Sequence, residues 1–212
     1  MSSEKISPKA KQTALSNVNV KGDLSIEGGI TQKIDIHEAP REKLTGIPNN
    51  SPLGTGKFVG RNGALKQLHE QLTHGRVAVV VGMGGLGKSE LAMRYGQNHE
   101  ADYGGGVCWI NGRTGDMLTQ VVQYCQLKLG MMLPEEKVKE SLNLGQAMDW
   151  YLSNWRAEGP VLMVLDDVIS LADCRPLLEL LSPRFRVLIT TRQPKLNADF
   201  YELDLELLSP ED

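Results

Sequence analysis

The sequence predicts an α/β fold: a three-layer sandwich on a parallel sheet of about five strands, preceded by an N-terminal arm of disordered or short-β character. Three observations predict it. Val77 to Val81 is a short, continuous β-branched run, as a strand buried on both faces should be. It breaks into the glycine-rich stretch Gly82-Met83-Gly84-Gly85-Leu86-Gly87-Lys88-Ser89, and a helical pattern carrying Leu91, Ala92 and Tyr95 follows. Further apolar runs then alternate with stripes at helical spacing to the end of the chain.

The chain has 212 residues, enough for one domain with extra material or two small ones. Its 23 Lys and Arg against 26 Asp and Glu leave a net charge of −3, which gives no electrostatic case for nucleic acid or an anionic membrane surface. Cys108, Cys125 and Cys174 are odd in number and widely spaced, which suits buried thiols in a reducing compartment better than disulfides or zinc. The start lacks the apolar core of a signal peptide and no apolar run reaches membrane-spanning length, so a cytoplasmic location is expected.

In order, residues 1 to about 14 are polar and unpatterned, and are expected to be disordered. From Ala14 to Ile36, Val18 and Val20, Leu24 and Ile26, and Ile34 and Ile36 alternate with polar residues. Lys21-Gly22-Asp23 and Glu27-Gly28-Gly29 read as turns between short strands. This arm is either a small hairpin or a self-association segment that adds strands between copies. Residues 37–57, with Pro40, Pro48, Pro52 and Asn49-Asn50-Ser51, read as a linker. Gly54-Thr55-Gly56-Lys57 mimics a phosphate loop, but Phe58 stands where Ser or Thr is required and no strand precedes it.

Residues 58–212 read as the globular domain. Phe58-Val59-Gly60-Arg61 opens a helix with Leu65, Leu68 and Leu72 at helical spacing. Tyr103 to Ile110 gives a glycine turn and a second strand. Two amphipathic helices follow, one with Leu118, Val121, Val122, Cys125 and Leu129, the other with Leu144, Ala147, Met148, Tyr151, Leu152 and Trp155. These stripes, and Met131 and Met132, are expected to be packing residues. Pro160 to Val168 is an apolar strand ending in Asp166-Asp167, and Arg186 to Arg192 and Phe200 to Leu205 are further strands.

The glycine-rich stretch fits G-x-x-x-x-G-K-[ST] in its required strand–loop–helix context. A triphosphate is dense in negative charge, so the loop must bend around it with bare backbone N–H groups pointing inward. Gly82, Gly84, Gly85 and Gly87 permit that approach. The helix start, with Leu86 and Glu90 in the same cofactor-binding stretch, adds unpaired N–H groups and a positive dipole end. Lys88 supplies a mobile cation for the outer phosphates, and the Ser89 hydroxyl can ligate Mg²⁺. Asp166 stands at the carboxyl end of a strand, where open α/β sheets place ligands, and can hold the same ion. Asp167 can orient or deprotonate an attacking water, and Arg192 can sense a terminal phosphate. Lys88, Asp167 and Arg192 are therefore the expected catalytic residues. No N-K-x-D guanine reader follows, and no acceptor-binding insertion with clustered arginines marks a metabolic kinase.

Together these pieces resemble the NB-ARC branch of the STAND class of P-loop NTPases, from Phe58 almost to the end. Phe58-Val59-Gly60-Arg61 is similar to the family's entry motif, which implies that Val59 and Arg61 border an adenine. Gly82 to Ser89 resembles its Walker A, Leu162 to Val168 its Walker B, Val187 to Arg192 its sensor-one strand, and Val107 to Ile110 its second strand. The resemblance implies a sensor strand between the Walker A and Walker B strands, with Arg192 facing a γ-phosphate. It also implies a regulatory switch: a closed ADP-bound form exchanged for an open, oligomerising ATP-bound form, with slow Mg²⁺-dependent ATP hydrolysis at most. Leu203 to Asp212 resembles the exit that precedes the family's helical and winged-helix subdomains, so a nucleotide-binding core truncated before them is expected. Asn-Val-Asn-Val text resembles segments preceding such modules in bacterial, notably cyanobacterial, proteins. The expected partners are an adenine nucleotide (ATP or ADP) with Mg²⁺, and either further copies or signalling proteins. The alternative is a nucleotide-locked scaffold that assembles through its N-terminal β segment without useful turnover.

Overall fold

The computed structural model describes residues 22–26, 30–34, 44, 46–54, 59–114, 116–193 and 200–207. The chain divides into two units, Met1–Lys43 and Leu44–Asp212. In the first, β1 (Gly22–Ile26) pairs antiparallel with β2 (Ile30–Ile34), with Gly22 opposite Ile34 and Ile26 opposite Ile30. Gly22 and Asp23, expected in a turn, lie within β1 instead. The strand expectations for Val18, Val20 and Ile36, the disorder expected before residue 14 and the Lys57–Phe58 decoy junction lie outside the described residues.

The second unit contains a five-stranded sheet of β3 (Val77–Val81), β4 (Gly106–Asn111), β5 (Val161–Val168), β6 (Phe185–Thr191) and β7 (Tyr201–Asp204), in the order β4-β5-β6-β3-β7. All neighbours are parallel. Parallel strands need crossover connections, which here lay helices over both faces. Strand residues alternate between two cores. Val79, Val81, Cys108, Ile110, Met163, Leu165, Val187 and Ile189 face α3 (Met117–Leu127), α5 (Leu144–Ser153) and α6 (Leu171–Leu180). Ala78, Val80, Val107, Trp109, Leu162, Val164 and Leu188 face α1 (Asn62–His74) and α2 (Lys88–Asn98). With both faces covered, the strands read as unbroken apolar runs. The sheet is the predicted three-layer α/β sandwich, with β6 between β3 and β5.

Local chemistry sets several boundaries. Asn143 caps α5: its side chain accepts from Gln146 N–H at 2.9 Å while the Gln146 side chain accepts from Asn143 N–H at 3.0 Å. The short helix α4 (Glu135–Lys139) was not anticipated, and neither was α6, which carries Pro176 inside it. The two adjacent methionines part company, Met131 being buried and Met132 81% exposed. Trp155 is buried and donates Nε1–H to the Gly105 carbonyl at 2.8 Å, which satisfies its polar end.

Part of the stretch expected as a linker is attached to the sheet. Val107 N–H donates to the Pro48 carbonyl (2.8 Å), and Asn50 N–H donates to the Val107 carbonyl (3.3 Å). The Asn50 side chain then accepts from Trp109 N–H (2.6 Å) and donates to the Trp109 carbonyl (3.0 Å). An open edge on β4 is thereby covered. Asn50→Ala removes both side-chain bonds, and a loss of about 1–2 kcal/mol is expected in urea denaturation. An unchanged midpoint would show that water satisfies Trp109 equally well.

Candidate nucleotide site

The site grows from the carboxyl ends of β3, β5 and β6. After Val81 the chain turns sharply at Gly82, where an added Cβ would lie 2.8 Å from the Leu205 carbonyl oxygen. The loop closes at Gly87, which precedes α2 in the left-handed region at φ 86°, a conformation costly for residues with a Cβ. Lys88 is only 7% exposed and donates Nζ–H to the Gly82 and Met83 carbonyls, each at 2.8 Å. Burial lowers its pKa, the Arg192 guanidinium lowers it further, and Asp167 and Asp166 act in the opposite sense.

The acid pair depends on an irregularity in β5. Leu165 pairs with Ile189 and Val168 with Thr191, so Asp166 and Asp167 together face the single residue Thr190. In a regular strand successive side chains point to opposite faces; the bulge lets both carboxylates reach one rim. Asp167 takes the local distortion, with φ at 57°. Thr190 pins the arrangement, donating Oγ1–H to Asp166 Oδ1 (2.6 Å) and accepting from Asp167 N–H (2.8 Å). Ser89 Oγ donates to the same Asp166 oxygen at 2.7 Å, which joins α2 to β5.

Arg113, in the turn after β4, grips the second acid: Nε and Nη2 both lie 2.7 Å from Asp167 Oδ2. Arg192 Nε is 3.9 Å from Asp167 Oδ1. The bond to Arg113 leads the effects that hold the Asp167 carboxyl below its ordinary pKa, outweighing partial burial, and the charges of Arg113, Arg192 and Lys88 add to it. Asp167 is thus an anion clasped by guanidinium rather than a free proton acceptor.

A cavity of about 340 Å³ is lined by Gly84, Gly85, Gly87, Lys88, Ser89, Glu90, Met93, Asp167, Thr190 and Arg192. Of the sequence-predicted residues, Gly84, Gly85, Gly87, Lys88, Ser89, Glu90, Asp167 and Arg192 therefore meet around one space, and Asp166 lies directly behind Ser89. Gly82, Leu86, Val59 and Arg61 do not line it. Leu86 packs partly buried against the core on the α1 and α2 side, and Val59 is 66% exposed. Arg61 precedes α1 at φ 65° and donates Nη2–H to the Glu206 carbonyl at 2.6 Å and to the Leu86 carbonyl at 3.4 Å. Sequence reasoning missed Arg113 and the pinning role of Thr190. Both stand at carboxyl ends of strands, the edge where ligand-handling residues collect, and that position was the available signal.

These residues fit a polyphosphate and a hard cation. A buried ammonium resting on loop carbonyls, whose protonated form is disfavoured by burial, gains from an arriving anion. Ser89 Oγ and Asp166 Oδ1 form the oxygen-only donor set that magnesium takes, with its remaining positions filled by water and phosphate.

A strand, a bare glycine loop and a helix start facing strand-borne acids across one cavity define a P-loop nucleotide-binding protein. The family model of the NB-ARC domain matches residues 61–212, and the chain belongs to that family. As a member it carries the family's nucleotide-binding domain over those residues. Similar solved structures include a Walker-type ATPase of Pyrococcus abyssi, at 12% identity and a TM-score of 0.48, covering 80% of this chain and 58% of that one. Another is a STAND protein with a tetratricopeptide-repeat sensor from Pyrococcus horikoshii, at 21% identity and a TM-score of 0.46, covering 76% of this chain and 25% of that one. The chain thus spans 58% and 25% of the lengths of these two structures. No curated protein matches it in sequence. Among the described residues no helix is long and apolar enough to cross a membrane.

Proposed function

We propose that the chain is the adenine-nucleotide-binding core of a signalling switch that binds ATP and ADP with Mg²⁺ in the cytoplasm and turns ATP over slowly at most. The observation that carries this reading is the single cavity on which bare loop amides, Lys88, Ser89 with Asp166, Asp167 and Arg192 converge. In this reading the loop and α2 amides hold the β- and γ-phosphates, and Lys88 leaves the loop carbonyls to meet them. Ser89 and Asp166 hold the cation, which when bound offsets phosphate charge. Arg192 is placed to register whether a terminal phosphate is present, the distinction between ATP and ADP. Val59 and Arg61 border the adenine from the entry segment. Mass analysis of nucleotide released from the purified, denatured protein tests the proposal directly, and recovery of a guanine nucleotide would overturn its adenine assignment.

Slow turnover follows from the Asp167 environment. A carboxylate clasped by Arg113 and held below its usual pKa accepts a proton from water poorly. Arg113→Gln should release it and raise the steady-state ATPase rate by about three- to tenfold, read as phosphate release at saturating Mg·ATP. The same ion pair has a pH signature. Because the folded pKa of Asp167 is depressed, its stabilisation is whole above the ordinary carboxylate range and is lost as pH falls through the lower folded value.

The β1–β2 hairpin favours a second reading, in which the module also serves as an assembly scaffold. A two-stranded ribbon leaves one edge of each strand unpaired by its neighbour, ready to accept strands from other copies. Phosphate release and particle size, measured with and without residues 1–43, which leaves the strand-edge contacts of residues 48–50 in place, separate the two. Size that collapses on truncation while turnover stays negligible supports the scaffold, and size indifferent to truncation removes it.

A further inference from the structure

Away from the nucleotide cavity, His69 on α1, His99 at the end of α2 and Asp102 in the following 3₁₀ turn gather their side chains at one point. One ligand-capable atom from each lies within 4.8 Å of the other two. The rings of His69 and His99 are stacked, with centroids 3.9 Å apart and planes 13° apart, and His99 Nδ1 lies 2.9 Å from Asp102 Oδ2. His69 Nδ1 is buried and has no hydrogen-bond partner among the described residues. A buried ring nitrogen without a partner forgoes a bond that water or protein normally supplies, and its lone pair is what a metal ion uses. We propose that His69, His99 and Asp102 bind a borderline divalent transition metal of the zinc class, which staples α1 to the carboxyl end of α2.

The donor set and its setting support this assignment. Two imidazoles and one carboxylate suit zinc and its neighbours, whereas magnesium and calcium prefer oxygen alone. The group sits where the last carbonyls of α2 carry partial negative charge, which favours a cation. The turn bearing Asp102 is already built: Asp102 N–H donates to the His99 carbonyl (3.0 Å), Tyr103 N–H to the Glu100 carbonyl (3.0 Å), and Glu100 accepts from the Asn49 side chain (2.7 Å). His99 Nδ1 and Asp102 Oδ2 lie 2.9 Å apart, about half an ångström short of the separation of adjacent donors on a tetrahedral metal with bonds of about 2.0–2.2 Å, so a small opening of the pair, with loss of the proton between them, admits the ion. Bringing in His69 requires its ring to turn out of the stack, a rotation about the Cβ–Cγ bond that has broad, soft minima. Three protein ligands leave a coordination position open to water or to an external ligand.

The test uses the untagged full chain, stripped with chelator and titrated with Zn²⁺ alone by calorimetry, with Co²⁺ as a spectroscopic stand-in. One equivalent should bind with micromolar or tighter affinity. Asp102→Asn and His99→Gln should each weaken it at least about tenfold, while circular dichroism and ATP binding stay unchanged. Asp102 carries an exposed side chain, so its variant tests the site even if the histidine variant folds poorly. The Co²⁺ form should show visible d–d bands without a thiolate charge-transfer band. Absence of zinc binding, affinity indifferent to both variants, or a thiolate band pointing to the cysteines would each overturn the site, without bearing on the nucleotide reading.

Discussion

Lys88→Ala is expected to weaken both ATP and ADP binding by at least about a hundredfold, roughly 2.7 kcal/mol, when measured by calorimetry in the presence of Mg²⁺. The ammonium sits at the mouth of a helix amide cluster and is 7% exposed, so its attraction to phosphate acts through little screening water. Its present partners, the Gly82 and Met83 carbonyls, are dipoles that a phosphate outcompetes. Alanine also removes a cation whose burial already strains its charged form, so folding stability should fall little or not at all. The binding loss should therefore appear without a matching fall in the thermal midpoint. Equal affinities in the variant and the parent would refute the assignment of this loop to phosphate binding.

Asp166→Asn is expected to abolish the Mg²⁺-dependent increment of ATP affinity, about tenfold or more, and any phosphate release with it, while leaving Mg²⁺-free ADP binding close to the parent's. Asparagine preserves the shape and an oxygen acceptor for Ser89 and Thr190, which both donate to Asp166 Oδ1. What it removes is the negative charge that draws a hard cation. Alanine in its place would also strand two hydroxyls against a partly buried gap and confuse binding with stability. Titrating ATP with and without Mg²⁺ measures the increment directly. A variant that keeps it intact would move the cation to other ligands.

Much of this architecture could be read from the residues in order. The parallel sheet was legible because strands buried on both faces must be continuous apolar runs, and 77–81, 107–110 and 161–165 have no alternative use for so many β-branched or aliphatic side chains. The glycine loop was legible because its spacing serves one chemistry. Other features depended on separations that no local pattern encodes. Arg113 and Asp167 are 54 positions apart and meet because β4 and β5 lie side by side, whereas Asn50 and Trp109 are 59 apart and meet because residues 48–50 run along the free edge of β4. The bulge that turns both acids to one rim has no marker in Leu-Asp-Asp-Val, since it arises from pairing with Thr190. Helices α4 and α6 were missed for a different reason. The first is a single charged turn with no apolar face, and Pro176 inside the second is a residue that ordinarily argues against a helix.

The central place of β6 limits how such a module could relay what it holds. Its ladder ties it to the loop-bearing strand on one side and the acid-bearing strand on the other, with Val187 matched to Val77 and to Met163. The three strands form one stiff backplane, and sliding any of them by a residue would reverse which side chains face each core. In the proposed reading, any response to the ligand would pass through side chains at the rim, among them the Arg113 clasp on Asp167, Arg192 beside it and the Arg61 guanidinium, which ties the entry helix to the exit from β7. A partner that responds to the nucleotide would then grip these fittings and leave the backplane undisturbed.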